Sequence, residues 1–107
     1  ANLTAGLMVD CSHANSSKDY RRQTAVAKNV VNQILEGNQS IIGVMLESHI
    51  NEGNQKADDK TVDELKYGVS ITDGCIDWQT TEDLITQMRD RLITVLPMRR
   101  DKRIQVA

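Results

Sequence analysis

The sequence predicts an α/β chain built on parallel strands, and three observations carry that reading. Two short apolar segments, Gly6-Leu7-Met8-Val9-Asp10-Cys11 and Ser40-Ile41-Ile42-Gly43-Val44-Met45-Leu46-Glu47, are continuous rather than alternating. Continuous apolar runs of this length are the mark of strands buried on both faces. Between them lies a stretch whose apolar residues Ala27, Val30, Val31 and Ile34 recur at helical spacing. A helix of that length between two strands favours a parallel, right-handed crossover.

The elements follow in order. The first strand, 6–11, ends in the polar loop Ser12-His13-Ala14-Asn15-Ser16-Ser17. The helix is expected over 18–36, with Ser17 or Asp19 capping its start and Gly37 ending it. The second strand, 40–47, ends in polar Glu47-Ser48-His49. Residues 50–79 show little periodicity, and a connection that long is either functional or mobile. The closing helix is expected to start near Thr80 or Thr81, with Glu82 and Asp83 in its positive first turn. Leu84, Ile85, Met88 and Leu92 form its expected buried stripe, and Pro97 its stop. A basic tail, 98–107, carries Arg99, Arg100, Lys102 and Arg103, and is read as frayed because no aromatic residue is interleaved with it.

Composition narrows the function classes. The 107 residues fit one domain with a modest core, so 1–107 reads as a single segment. The net charge of −2 offers no electrostatic case for nucleic-acid binding. The longest apolar run, 41–46, is too short to span a membrane, and no secretion signal opens the chain. Cys11 and Cys75 are too few for a disulfide scaffold and read as reduced cytoplasmic thiols. Two doubly buried parallel strands cannot cover each other, which points to a larger sheet completed by further chain or by partner copies.

His13 directly follows the first strand and Glu47 closes the second. In βα proteins, groups at the C-terminal ends of strands converge on the active site. A histidine and a carboxylate meeting there suit a divalent metal such as zinc, manganese or iron. Asp73, in the turn Ile71-Thr72-Asp73-Gly74, is a candidate third ligand. Hydrogen-bonded or solvated loop ends are the commoner fate of such residues. His49 is either a further group of the site or a surface histidine, and Cys75 either a ligand or a buried thiol. Cys11 reads as core packing. Arg21 and Arg22, after the loop containing Asn15, Ser16, Ser17 and Lys18, could hold phosphate or simply be solvated.

Four longer motifs occur in order: Asp10-Cys11-Ser12-His13-Ala14-Asn15-Ser16-Ser17-Lys18, Ile41-Ile42-Gly43-Val44-Met45-Leu46-Glu47-Ser48-His49, Glu52-Gly53-Asn54-Gln55 and Tyr67-Gly68-Val69-Ser70-Ile71-Thr72-Asp73-Gly74-Cys75-Ile76. Together they closely resemble the C-terminal part of the class I, bacterial and yeast type, 3-deoxy-D-arabino-heptulosonate-7-phosphate (DAHP) synthases. The wording Lys18-Asp19-Tyr20-Arg21-Arg22-Gln23, with Lys66-Tyr67-Gly68-Val69-Ser70, looks most like the tyrosine-sensitive isoenzymes.

The resemblance implies a (β/α)8 TIM barrel, of which this chain would be βα units seven and eight, an incomplete barrel. It implies a cytoplasmic transferase that condenses phosphoenolpyruvate with erythrose 4-phosphate and releases phosphate, the first step of the shikimate pathway to aromatic amino acids. The enol carbon would attack the aldehyde, water would add at the other carbon and phosphate would leave. It also implies a divalent metal (manganese, iron, cobalt or zinc) held by His13, Glu47 and Asp73. The family's fourth ligand, a cysteine of its N-terminal half, has no counterpart here, and Cys75 matches a cysteine near the site rather than the ligand. The family's Lys-Pro-Arg type motif is also missing. A full barrel needs about 250 residues, so the expectation is a C-terminal fragment, inactive alone. Other classes are a noncatalytic binding or assembly module reusing this segment, completed as an oligomer of identical chains, and a metal-dependent hydrolase on a related barrel.

Overall fold

The structure is a computed structural model and describes residues 6–99. Strand β1 (Leu7–Asp10) and strand β2 (Ile41–Met45) pair in parallel, with Val9 opposite Val44 and Asp10 opposite Met45. Helix α1 (Gln23–Leu35) connects them, and helix α2 (Trp78–Leu92) follows a long connection. The α/β reading with parallel strands is therefore what the chain forms.

Apolar patterning explains the packing. On α1, Ala27, Val30, Val31 and Ile34 are buried, the stripe that the spacing predicts. Val30, Val31 and Ile34 meet Ile41 of β2 and Leu92 of α2, with Val9, Val44 and Met88 against them. A second cluster joins Cys11 and Ala27 to Ile76 and Leu84, so the strand end, both helices and the long connection share one layer.

The expectation of strands buried on both faces is corrected. Met8 is 70% exposed and Ile42 63% exposed. The reason is geometric: alternate strand residues point to opposite faces, and the helices cover one face of the two-stranded sheet.

Helix ends also differ from expectation. A 3₁₀ turn over Tyr20–Arg22 precedes α1, and the Asp19 carboxylate accepts the Arg21 N–H, so Asp19 caps that turn rather than α1 itself. Ser17 adopts φ +56° and is no N-cap. Gly37 ends α1 as predicted: at φ +112° it lets its own N–H reach the Ile34 carbonyl and the Asn38 N–H reach that of Gln33. Helix α2 begins at Trp78, not near Thr80 or Thr81, because the Asp77 carboxylate accepts the Thr80 N–H. Glu82 and Asp83 thus fall beyond the first turn. Its buried residues are Thr81, Leu84 and Leu92, whereas Ile85 is 52% exposed. Pro97 does not stop α2, which ends at Leu92; the chain turns and is helical again over 95–99. Proline is tolerated there, in a first turn whose N–H groups have no helical partner.

The connection between β2 and α2 is cross-linked where its two ends, 48–55 and 66–76, run beside each other. Ser48 bridges Ile76 in parallel, Gly53 bridges Cys75 antiparallel, and Asn54 bridges Ser70. Side-chain amides tie it further: Gln55 accepts from Lys66 N–H and donates to the carbonyls of Lys66 and Val69, and Asn54 donates to Thr72 O.

Of the basic tail, residues 100–107 lie outside the described residues. Arg99 is not frayed: it donates to the carbonyls of Asn38 and Ile41, each at 2.7 Å, at the entry to β2. Among the described residues no helix is long and apolar enough to cross a membrane.

Candidate metal centre

The carboxyl ends of β1 and β2 lie side by side because the strands are parallel and in register there. β1 delivers Asp10, then Ser12 and His13; β2 delivers Glu47 two residues past its end. The connection returns Asp73 to the same rim, anchored by the Gly53–Cys75 and Ser48–Ile76 bridges just beyond it.

His13 Nε2 lies 3.1 Å from Asp73 Oδ2 and 3.5 Å from Glu47 Oε1. Among the described residues these three form the one group of at least three His, Cys, Asp or Glu side chains whose ligand atoms converge, all within 4.8 Å of one another. The other ring nitrogen, Nδ1, is 2.9 Å from Asp10 Oδ2. An ionised carboxylate only accepts, so Nδ1 carries hydrogen; Nε2 faces Glu47 and Asp73 with a lone pair when the ring is neutral and donates to Asp73 when the ring is charged. Asp10 is itself held, accepting the Ser12 N–H at 2.8 Å, while Asn15 donates to its carbonyl at 2.7 Å. Ser12 Oγ donates to Glu47 Oε2 at 2.6 Å, which leaves Oε1 as the oxygen facing His13.

Electrostatics follow from this crowd of carboxylates. The hydrogen bond to Asp10 pushes the His13 pKa up, as do the bond to Asp73 and the negative charge of Glu47. The same bond from His13, with that from Ser12 N–H, holds Asp10 below the ordinary carboxylate value. An acceptor nitrogen facing two acceptor oxygens needs a positive centre between them. That centre is a proton on Nε2 or a cation, and a set of one imidazole and two carboxylates suits a borderline divalent ion. The donor set therefore fits a metal. His13 itself sits at φ +48°, an uncommon conformation for a residue with a Cβ, at the first position of a 3₁₀ turn over His13–Ser16.

The remaining candidates fall elsewhere. His49 is exposed and outside the cluster, its Nδ1 accepting the Ile50 N–H. Cys75 is a buried free thiol whose Sγ donates to the Asp73 carbonyl, and burial pushes its pKa up. Cys11 is a free thiol in the core, as the sequence suggests. Arg21 pairs with Asp19 and lies 5.9 Å over the Tyr20 ring, and Arg22 donates to Ser17 Oγ. The two arginines are thus tied to their own loop rather than to the three clustered side chains. Two contributors were not singled out as site residues from sequence: Ser12, which holds Glu47, and Asp10, which holds His13. Both stand within three residues of His13, the signal that could have found them.

Known proteins share this chain's pattern. The family model described as the DAHP synthetase I family matches residues 1–86. A Tyr-sensitive phospho-2-dehydro-3-deoxyheptonate aldolase of Enterobacter agglomerans is 56% identical over 99 residues, covering 92% of this chain and 46% of the relative. The Tyr-sensitive aldolase of Escherichia coli K12 is 56% identical over 92 residues, covering 86% of this chain and 26% of the relative. The solved structure of the phospho-2-dehydro-3-deoxyheptonate aldolase of Francisella tularensis SCHU S4 superposes with a TM-score of 0.72 at 36% identity, covering 80% of this chain and 24% of that one. The chain thus spans less than half the length of these relatives. It belongs to the DAHP synthetase I family.

Proposed function

We propose that this chain contributes three ligands, His13, Glu47 and Asp73, to the divalent metal site of a DAHP synthase that joins phosphoenolpyruvate to erythrose 4-phosphate. The observation that carries this reading is the convergence of the three ligand atoms within 4.8 Å of one another at one rim of a parallel sheet. Family membership and the names of the relatives support the assignment to such a synthase.

In this reading the chain's residues have separate tasks. Asp10 keeps hydrogen on His13 Nδ1 and so presents Nε2 as the ligand atom. Ser12 occupies one oxygen of Glu47 and leaves the other for the cation. Asp73 is the most exposed of the three and closes the set from the long connection. A divalent cation held there supplies Lewis acidity to an aldehyde oxygen.

The chain corresponds in this reading to the last two βα units of a TIM barrel, with β1 and β2 as strands seven and eight. Supporting it are the parallel pair, the exposed Met8 and Ile42 and the one-layer helix cover. Those uncovered side chains call for further strands, from the rest of a barrel or from copies of this chain. Two free thiols suit a reducing compartment such as the cytoplasm.

Titration of the chain with Co2+, followed by visible absorption, tests the ligand set. Saturable ligand-field bands that vanish in Glu47→Gln and in His13→Ala are expected; equal binding by all three proteins overturns the assignment. A condensation assay with both substrates and Mn2+ is expected to show no turnover by this chain alone. Turnover near that of a complete synthase refutes that part.

A further inference from the structure

Among the described residues Gln23 is the largest of the fully buried side chains, with no exposure at all. Its amide makes two hydrogen bonds, and both go to the main chain of one residue. Gln23 Oε1 accepts from Glu47 N at 2.8 Å, and Gln23 Nε2 donates to Glu47 O at 3.0 Å. The amide thus pairs with Glu47 as the backbone of a neighbouring strand would.

The place of this clamp matters. The bond from Cys11 N to Met45 O lies at the carboxyl end of the β1–β2 pairing. Glu47, two residues further on, lies past that pairing. Its carbonyl also accepts from Ile76 N, but its N–H is turned to Gln23. Burying a primary amide costs stability unless its bonds are made. An apolar side chain would fill the same volume without that cost, so packing alone does not account for a glutamine here. The far end of Glu47 is fixed separately, by the Ser12 hydroxyl on Oε2.

We propose that Gln23 is a positioning residue: by holding both main-chain groups of Glu47 it aims that carboxylate at His13 and Asp73. Its consequence for cation affinity rests on the metal-site reading above, and its consequence for Glu47 does not. Helix α1 thereby becomes part of the site's support, since Gln23 is its first residue.

The test compares the full chain with Gln23→Met, which keeps side-chain length and removes both bonds, and with Gln23→Glu, which keeps an acceptor for the Glu47 N–H. Two readouts are taken: amide hydrogen exchange at each residue, and Co2+ titration. In Gln23→Met the Glu47 amide is expected to exchange roughly 10-fold faster while the slow amides of α1 and α2 keep their rates. Co2+ is expected to bind about 10- to 100-fold more weakly. Gln23→Glu is expected to recover most of the Glu47 protection. Unchanged exchange at Glu47 in a folded Gln23→Met overturns the proposal, as does acceleration spread evenly over both helices. If Gln23→Met does not fold, Gln23→Glu decides: Glu47 exchanging no more slowly than its unbonded neighbours overturns the proposal. If the parent chain shows no saturable Co2+ binding, the metal reading fails, and the exchange at Glu47 alone upholds or overturns the role of Gln23.

Discussion

A Cβ added to Gly74 would lie 2.8 Å from Tyr20 Cδ1 and 3.4 Å from Tyr20 Cβ, so the aromatic ring occupies the space a side chain there would need. Tyr20 stands in the 3₁₀ turn before α1, and Gly74 directly follows Asp73. The contact locks the turn carrying one candidate ligand against the start of the first helix. Its hydroxyl also lies 3.7 Å from the Cβ position of Gly53, which pairs with Cys75.

Gly74→Ala therefore forces Tyr20 or the turn to move. The expected cost is about 1–3 kcal/mol, the range for overpacking a filled site, measured by urea unfolding. Tyr20→Ala in the same chain should remove part of that cost. Equal effects of Gly74→Ala with and without Tyr20 would show that the clash is not what limits this position.

Leu84 and Ile85 are adjacent on α2 but differ in burial, 2% against 52% exposed. Leu84 packs with Cys11, Ala27 and Ile76, joining α2 to the strand end and the long connection. Leu84→Ala is expected to destabilise the chain by about 2–5 kcal/mol. Ile85→Ala is expected to stay within about 0.5 kcal/mol. Denaturant midpoints compare the two directly; similar losses would mean that Ile85 is covered in solution, by a second copy for instance.

The sequence made some of this legible and hid the rest for identifiable reasons. His13 and Glu47 were readable because each closes an apolar run, and strand ends are where such groups gather. Asp73 was readable from its motif. Gln23 was not: a polar residue on a helix reads as solvated, and its partner is main chain, which leaves no pattern in a sequence. The cross-links of the long connection hid for the same reason, since Asn54 and Gln55 act through side-chain amides on backbone groups. Asp77 was masked by Thr80, Thr81 and the acidic pair Glu82 and Asp83, which together imitate a helix start. The strands' continuous apolar character suggests two covered faces, but the helices of this chain cover only one, which leaves Met8 and Ile42 exposed.

The two thiols should be slow to react in the folded chain. Cys11 is fully buried and Cys75 nearly so. Burial pushes both thiols up, and the charge of Asp10 adds to the effect at Cys11. Less thiolate at neutral pH means less nucleophile. Reaction with a disulfide reagent is expected to be slow natively, slower at Cys11 than at Cys75, and fast at both in concentrated guanidinium. Rapid native labelling of Cys11 would show that β1 and α1 part readily.

Asp77 gives helix α2 a pH dependence whose sign is fixed. Its carboxylate accepts the Thr80 N–H at 2.8 Å, and the Thr80 side chain together with that N–H holds its pKa below the ordinary 3.8. The unfolded chain therefore binds this proton more readily than the folded one. The cap's contribution is complete above the ordinary value and is lost as pH falls through the folded-state value. Asp10 and Asp19 are lowered as well, so the parent's acid transition mixes several groups. Differences between variants isolate Asp77. Asp77→Asn keeps a capping oxygen without a titrating group, and should preserve helicity near neutral pH while losing Asp77's share of the acid-induced fall. Asp77→Ala should lose helicity at neutral pH and also show the shallower acid transition. Far-UV circular dichroism from neutral to acid pH reads both, and an acid transition in Asp77→Asn as steep as the parent's would show that other carboxylates carry it.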